Sequence, residues 1–600
     1  MSTAPAPVHR VERVDDIPVL LATLRRLKVA ETLDRHFPSG HRWKGALTFG
    51  EVACCWIAFI TSQGDHRLSE LQPWAQANLH TLAACLGKAV RPLDFQDDRL
   101  ADILDHLARD DSWQDCEVDL NRHTVRVYHL NPDFFRVDTT TANSYVAVLC
   151  ELGFFQFGHS KDRADQPQIK VAMAALDPLG MPVTTFVAPG NWADDPLYVP
   201  EIKKVQRAFG QGGKTFVMDC KGAALGTRAF LASTGDYYLC PLTETQLPPA
   251  KRRVLLQPVW EGRQTLQHVY RPAGEGEGEE LVAEGFSLDV PLSADVQGRP
   301  VAWTERRWVV RSLAFAAGQH KQLDRRLQAA EEQLAELNER QQGKQRLTAP
   351  ALRAAAEGVV GKQRVGGMLS WQVKTTTHQR TVRGYGGRPQ RVEKEQEHRV
   401  DVSRCEEEIE KAKREMGWRV YAANQRSLNL AGVVWGYRGQ NRLEDNWSRL
   451  KGQPLGLTPM YLQYESRVLG LVLLLSLGLR LLSVLEWTVR KKLEENGETL
   501  KGLYAGQPGR QAKRPSAELL LRAFRGISLI VVEVSGELTG HVTPLTGLHQ
   551  RLLELWGLPA DLYQRLASRD AQPARTDQDI LRVPPESDDL VIHLSQPPPI

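Results

Sequence analysis

The sequence predicts an α/β fold: a mixed sheet flanked by helices, interrupted by a mainly β insertion, between helical N-terminal and C-terminal regions. Three observations point to it. Apolar residues recur at helical spacing through about residue 125, as in IPVLLATLRRLKVAETLDRHF and LTFGEVACCWIAFITS. From Phe134 short β-type runs take over, separated by two helical stretches. Residues 246–425 then break that order with short strands, the Gly/Glu-rich AGEGEGEE, a charged helix and a Gly-rich basic stretch.

A chain of 600 residues is too long for one ordinary core. The texture changes suggest a helical N-terminal domain at 1–125 and an α/β core in two parts, 130–245 and 426–500. The insertion occupies 246–425, and a helical C-terminal region with a disordered tail occupies 501–600. Apolar residues at 42% and charged residues at 25% are the proportions of a soluble globular protein. The net charge of +4 is too small to make the whole surface a polyanion binder, so any nucleic-acid surface must be local.

Eight cysteines form no CxxC pair and no zinc-like spacing with histidine, which suits a reducing cytoplasm better than a disulfide framework. The N-terminus MSTAPAPVHRVERVDD lacks the layout of a signal peptide. The apolar run VLGLVLLLSLGL, between Arg467 and Arg480, is shorter than the roughly 20 residues that span a bilayer. We expect a buried core helix there and no membrane partner.

In the N-terminal region two helical runs meet at SQGDHRL, an arrangement compatible with a helix-turn-helix and equally with an ordinary helical pair. Beyond Phe134, the β-type runs FFRVDTTT and SYVAVLCELGFFQFG, and then IKVAMAAL and PVTTFVAP around the turn DPLGM, read as three successive strands. A helix at 195–209, the strand KTFVMD, the helix AALGTRAFLAST and the strand DYYLCPL follow. This β-β-β-α-β-α-β order is the ribonuclease H arrangement, which lacks only a final helix to complete its site.

Asp138 closes the run FFRVD and Asp219 closes TFVMD. A carboxylate at a strand end can face a cleft while its strand stays rooted in the core, although Asp also commonly starts turns. The missing helix is supplied by GYRGQNRLEDNWSRLKG at 436–452. On a helical wheel Tyr437, Asn441, Glu444, Ser448 and Lys451 share one face, while Leu443, Trp447 and Leu450 make the adjacent core stripe. An exposed, solvated face would show the same polar residues.

These residues resemble the DDE transposases of bacterial insertion sequences, the group whose third acidic residue lies in a Tyr-Arg-Glu-Lys signature helix. The matching pieces are RVDTTTANSY, GHSKDRADQPQIKVAMAALDPLGMPVTTFVAPGNWADD, TFVMDCKGAALG and YRGQNRLEDNWSRLKGQPLGLTPMY. Tyr437 stands seven residues before Glu444 and Lys451 seven after, as in that signature; the signature arginine is replaced by Gln440, with Arg438 and Arg442 as neighbours. The resemblance implies that Asp138, Asp219 and Glu444 bind two Mg²⁺ or Mn²⁺ ions. It implies nicking at terminal inverted repeats, attack of the freed 3′-OH on target DNA, and a homodimer in a synaptic complex in the bacterial cytoplasm. Tyr437 and Lys451 would contact phosphate near the cleaved end, Arg438 and Arg442 would bind DNA beside them, and residues 1–125 would be a DNA-binding domain.

Further DNA contacts are expected from Lys161 and Arg163 in GHSKDRAD, and from Lys374, Arg380, Arg383 and Arg388 in the stretch WQVKTTTHQRTVRGYGGRPQR, where aromatics accompany the charge. Two other functions remain compatible with the same residues: a ribonuclease H-like nuclease without strand transfer, and a domesticated DNA-binding protein that no longer moves DNA.

Overall fold

A computed structural model describes residues 8–39, 43, 45–145, 153–158, 163, 165–271, 279–339, 341–342, 345–383, 389–460, 462–534 and 537–567. Strand β1 (Val8–Arg13) precedes seven helices: α1 (Ile17–Arg26), α2 (Val29–His36), α3 (Phe49–Gln63), α4 (Leu68–Ala77), α5 (Leu79–Leu86), α6 (Asp97–Leu107) and α7 (Asp110–Val127). Then come β2 (Phe134–Asn143), β3 (Gln168–Leu176), β4 (Met181–Pro189), α8 (Asp195–Phe209), β5 (Thr215–Met218), α9 (Leu225–Ser233) and β6 (Tyr237–Pro241).

The middle of the chain forms α10 (Pro249–Trp260), β7 (Gln267–Arg271), β8 (Glu280–Val296), β9 (Arg299–Ser312) and α11 (Leu313–Leu337). The short β10 (Gln341–Gln342) and β11 (Gln345–Arg346) lead to α12 (Ala349–Gln363), β12 (Leu369–Val382), β13 (Arg391–Arg404), α13 (Glu406–Glu415) and β14 (Trp418–Ala423). The last third holds α14 (Leu430–Arg438), α15 (Asn441–Lys451), α16 (Glu465–Asn496), α17 (Ala517–Arg522), β15 (Ser528–Val534), β16 (Glu537–Val542) and α18 (Gly547–Trp556).

These elements form two compact units: Met1–Tyr238 with Ser293–Val301 and Arg438–Ile600, and Leu239–Leu292 with Ala302–Tyr437. The boundaries fall at 238/239 and 437/438, where the sequence suggests 245/246 and 425/426. N-terminal and C-terminal segments belong to one unit, because β1 pairs antiparallel with β15 from Val8 opposite Glu533 to Arg13 opposite Ser528.

The first unit is built on a mixed sheet ordered β4-β3-β2-β5, followed by the start of β6. Pairs β2/β3 and β3/β4 are antiparallel, and β2/β5 is parallel. This β-β-β-α-β-α-β layout is compatible with a ribonuclease H-like core. β3 is buried along its whole length, the pattern of a central strand covered on both faces. α16 packs against α3, α6, α18 and β4. It is long and apolar enough to cross a membrane, but its most apolar stretch is 94% buried inside the protein, which makes it a core helix. Gly470 permits its closest crossing, since a Cβ there would lie 2.1 Å from the Leu104 carbonyl oxygen of α6.

In the second unit β14 pairs antiparallel with β9 and with Leu239–Pro241 of β6, and β8 and β7 continue the order. α11 and α12 enclose an apolar cluster of Leu323, Leu327, Leu334 and Leu352 with the base of the β12/β13 hairpin, through Leu369 and Val400. Leu323, Leu327 and Leu334 of α11 are therefore buried within this unit. The C-terminal tail expected to be disordered lies outside the described residues beyond 567.

Candidate active site

Asp219 follows the last residue of β5, as the sequence suggests, whereas Asp138 lies midway along the ten-residue β2. The parallel pairing sets Val137 opposite Met218, so Asp138 and Asp219 take the next position on neighbouring strands. Residues opposite each other in a sheet project from the same face.

Tyr198 of α8 bonds to one of these carboxylates. Its hydroxyl donates to Asp219 Oδ1, which also accepts the backbone N–H of Lys221 at 2.8 Å and of Gly222 at 3.2 Å. Burial pushes the Tyr198 hydroxyl well above the ordinary phenol range, and the charges of both Asp219 and Asp138 push it further. It therefore stays protonated and remains a donor to the carboxylate. Gly222 makes room for the ring, since a Cβ there would lie 2.6 Å from Tyr198 Cε1.

The third carboxylate is carried by α15. Its buried side is Leu443, Asn446, Trp447 and Leu450, and its exposed side includes Asn441, Glu444 and Ser448, so the amphipathic division read from the sequence holds. Trp447 donates its indole N–H to Asp138 Oδ2 at 3.0 Å, tying the Glu444 helix to the central strand. Glu444 lies three residues before Trp447, nearly one turn away.

Tyr437 does not share that face. The stretch 436–452 is not one helix: α14 ends at Arg438, Gly439 and Gln440 form a turn, and α15 starts at Asn441. A Cβ on Gly439 would lie 2.2 Å from Nη2 of Arg136, and glycine also weakens a helix by about 1 kcal/mol. Tyr437 belongs to the second unit, where its ring lies 4.9 Å from that of Tyr421. Gln440, which stands where the resemblance expects arginine, is buried, and neither amide atom has a hydrogen-bond partner among the described residues.

Of the cations expected on DNA, Arg442 ion-pairs with Asp177, and Arg438 and Lys451 are half-buried at the C-terminal ends of α14 and α15. Arg163 is exposed, and its carbonyl accepts the Asn143 amide at 3.0 Å, at the end of β2. In the β12/β13 hairpin Lys374 pairs with Asp401, and Arg380 stands opposite Glu393 in the strand register. Arg383 is exposed, and Lys161 and Arg388 lie outside the described residues. Of the helical pair at SQGDHRL, α3 is buried on nearly every side and α4 carries Glu70 but no lysine or arginine, so neither helix presents a basic reading face.

The donor chemistry fits Mg²⁺ or Mn²⁺, which take carboxylate oxygens. The geometry is partial: among the described residues no three of His, Cys, Asp and Glu stand close enough to hold an ion. Asp138 and Asp219 lie one residue beyond the paired Val137 and Met218, and Glu444 is carried by the helix bonded to Asp138. Sequence reading missed Tyr198, Arg136 and Asp177; the polar atoms of Arg136 and Asp177, placed in an apolar strand and a turn, were the available signal.

No protein-family model matches the chain, and no curated protein matches it. Among solved structures, the cryo-EM structure of a piggyBac transposase synaptic complex with hairpin DNA aligns with a TM-score of 0.32 at 9% identity, over 96% of this chain and 88% of that one. A likeness that distant does not bear on fold or function.

Proposed function

We propose that the protein is a DNA transposase of the DDE type, encoded by a bacterial insertion sequence and acting in the cytoplasm. The observation that supports this most is the placement of Asp138 and Asp219 at matching positions of parallel neighbours, with the Glu444 helix bonded to Asp138 through Trp447. Asp138, Asp219 and Glu444 would together hold two Mg²⁺ or Mn²⁺ ions. Such ions, when bound, make water a better nucleophile and offset charge on a phosphodiester.

The protein's own groups keep these ligands in place. Tyr198 and the Lys221 and Gly222 amides orient Asp219, and Trp447 orients Asp138. Hydrolysis at a terminal inverted repeat breaks the bond between phosphorus and the 3′-oxygen and frees a 3′-OH. That hydroxyl then attacks a target phosphodiester, displacing another 3′-oxygen. Lys451, Arg438, Tyr437 and Arg163 are the candidates to hold the DNA backbone, in a homodimer that pairs two ends. A strand-transfer assay with labelled end DNA and Mg²⁺ tests this: joined products are expected, and hydrolysis alone would reduce the function to that of a nuclease.

Gln440, buried where the resemblance expects an arginine, favours a second reading, a DNA-binding protein that keeps the fold without catalysis. Metal-independent DNA binding with no cleavage in either ion would establish it. Short inverted repeats flanking the coding region, bordered by a duplicated target sequence, would support the transposase.

A further inference from the structure

Arg136 stands two residues before Asp138 on β2, and Arg442 two residues before Glu444 on α15. Both guanidinium groups converge on one carboxylate, that of Asp177, in the turn between β3 and β4. Arg136 Nε donates to Asp177 Oδ1 at 2.8 Å and its Nη2 to Oδ2 at 3.2 Å, while Arg442 Nη1 donates to Oδ1 at 2.5 Å. The Arg136 side chain is 2% exposed, Asp177 15% and Arg442 33%, so the shared anion sits between a buried strand cation and a helix cation at the surface.

The turn makes a second tie to the same helix, through Asn446 Nδ2 and the Gly180 carbonyl at 2.6 Å. It is itself anchored to β2 by the Asp177 N–H on the Phe134 carbonyl at 3.0 Å. Gly180 has φ +70°, the left-handed conformation that this tight turn needs.

We propose that Asp177 is a positioning residue of the site: by bridging Arg136 and Arg442 it fixes α15, and therefore Glu444, against the strand that carries Asp138. This rests on the reading of Asp138, Asp219 and Glu444 as metal ligands. It also gives Arg442 a role other than DNA contact. A buried arginine requires a counter-ion, and a carboxylate shared with the helix makes that requirement couple the two ligand-bearing elements. Groups that orient ligands in this way typically change metal affinity by about 10–100-fold when removed.

The test is Mn²⁺ binding by the full chain without DNA, followed by the electron-spin resonance of the free ion. Absence of DNA separates positioning from any phosphate contact by Arg442. Asp138→Ala defines the specific component. Arg442→Gln leaves the buried Arg136–Asp177 pair intact and so keeps the fold; it is expected to bind Mn²⁺ about tenfold more weakly than wild type. Arg442→Lys, which can still reach a single oxygen, should recover most of that loss.

Asp177→Asn should weaken binding at least as much, and adding Arg442→Gln to it should cause little further loss, because the two share one interaction. Unchanged Mn²⁺ affinity in Arg442→Gln, where Asp138→Ala has lost the ion, would overturn the positioning role and leave the metal reading standing. Equal binding by Asp138→Ala and wild type would overturn both.

Discussion

The indole of Trp447 donates to the carboxylate of Asp138 at 3.0 Å, and this bond joins the helix of Glu444 to the middle strand of the sheet. Trp447 is 6% exposed and also belongs to the buried side of α15, so one side chain both packs the helix and orients a carboxylate. Trp447→Phe keeps most of the packing and removes the donor. DNA cleavage should fall about tenfold or more, at a DNA affinity close to wild type, when rate and binding are measured separately. An unchanged rate would remove Trp447 from the site.

Tyr198→Phe probes the other carboxylate. It deletes the hydroxyl that donates to Asp219 and leaves the two backbone N–H donors in place. Because those amides remain, the expected loss is smaller, about threefold to tenfold in cleavage rate, with the metal concentration for half-maximal activity raised. A rate effect without a shift in metal requirement would mean that the ring acts through packing alone.

The core contains a pH-dependent element away from the site. Burial pushes Glu117 of α7 from its ordinary value of 4.5 up to about 8, against the attraction of Lys204 and Arg480 and with the added repulsion of Glu201. A carboxyl whose folded value lies above its unfolded value binds its proton more tightly in the folded state. Its contribution is therefore most favourable below about 4.5 and declines as pH rises to about 8. Glu117→Gln would keep an oxygen for the Thr185 N–H, which Glu117 accepts at 3.1 Å, without the charge. The variant should thus melt higher than wild type at a pH just above about 8 and close to it near pH 4.5, as thermal denaturation would show.

Gly470→Ala tests the helix crossing that underlies the first unit. The added Cβ would meet the backbone of Leu104, with the carbonyl oxygen at 2.1 Å, and a backbone atom cannot rotate away as a side chain can. The two helices would have to separate, at a cost of about 1–3 kcal/mol. Denaturant titration should show the loss, and an unchanged midpoint would contradict the close crossing of α6 and α16.

The order of elements and the packing stripe of α15 were legible because each is written as local periodicity: apolar runs of β type, and Leu443, Trp447 and Leu450 at helical spacing; Asp138, read as a strand end, lies midway along β2. The break at Gly439 and Gln440 was not legible, because a helical wheel assumes one continuous helix through 436–452. The alignment of Tyr437 with Glu444 failed for that reason. Arg442 and Lys374 illustrate a related limit: a charge looks available to DNA in sequence, and its partner, Asp177 or Asp401, is set by tertiary pairing. The joining of β1 to β15 is a long-range pairing of the same kind, with no signature in either segment alone.

The account depends most on the three carboxylates acting together. The direct measurement is Mg²⁺-dependent cleavage of labelled end DNA by wild type, Asp138→Ala, Asp219→Ala and Glu444→Gln, with DNA affinity measured in parallel and Asp445→Asn as a neighbouring control. We expect wild type and Asp445→Asn to cut, and each of the other three to lose about a thousandfold or more in rate while binding DNA normally. Wild-type cleavage by all three would contradict the proposed metal site.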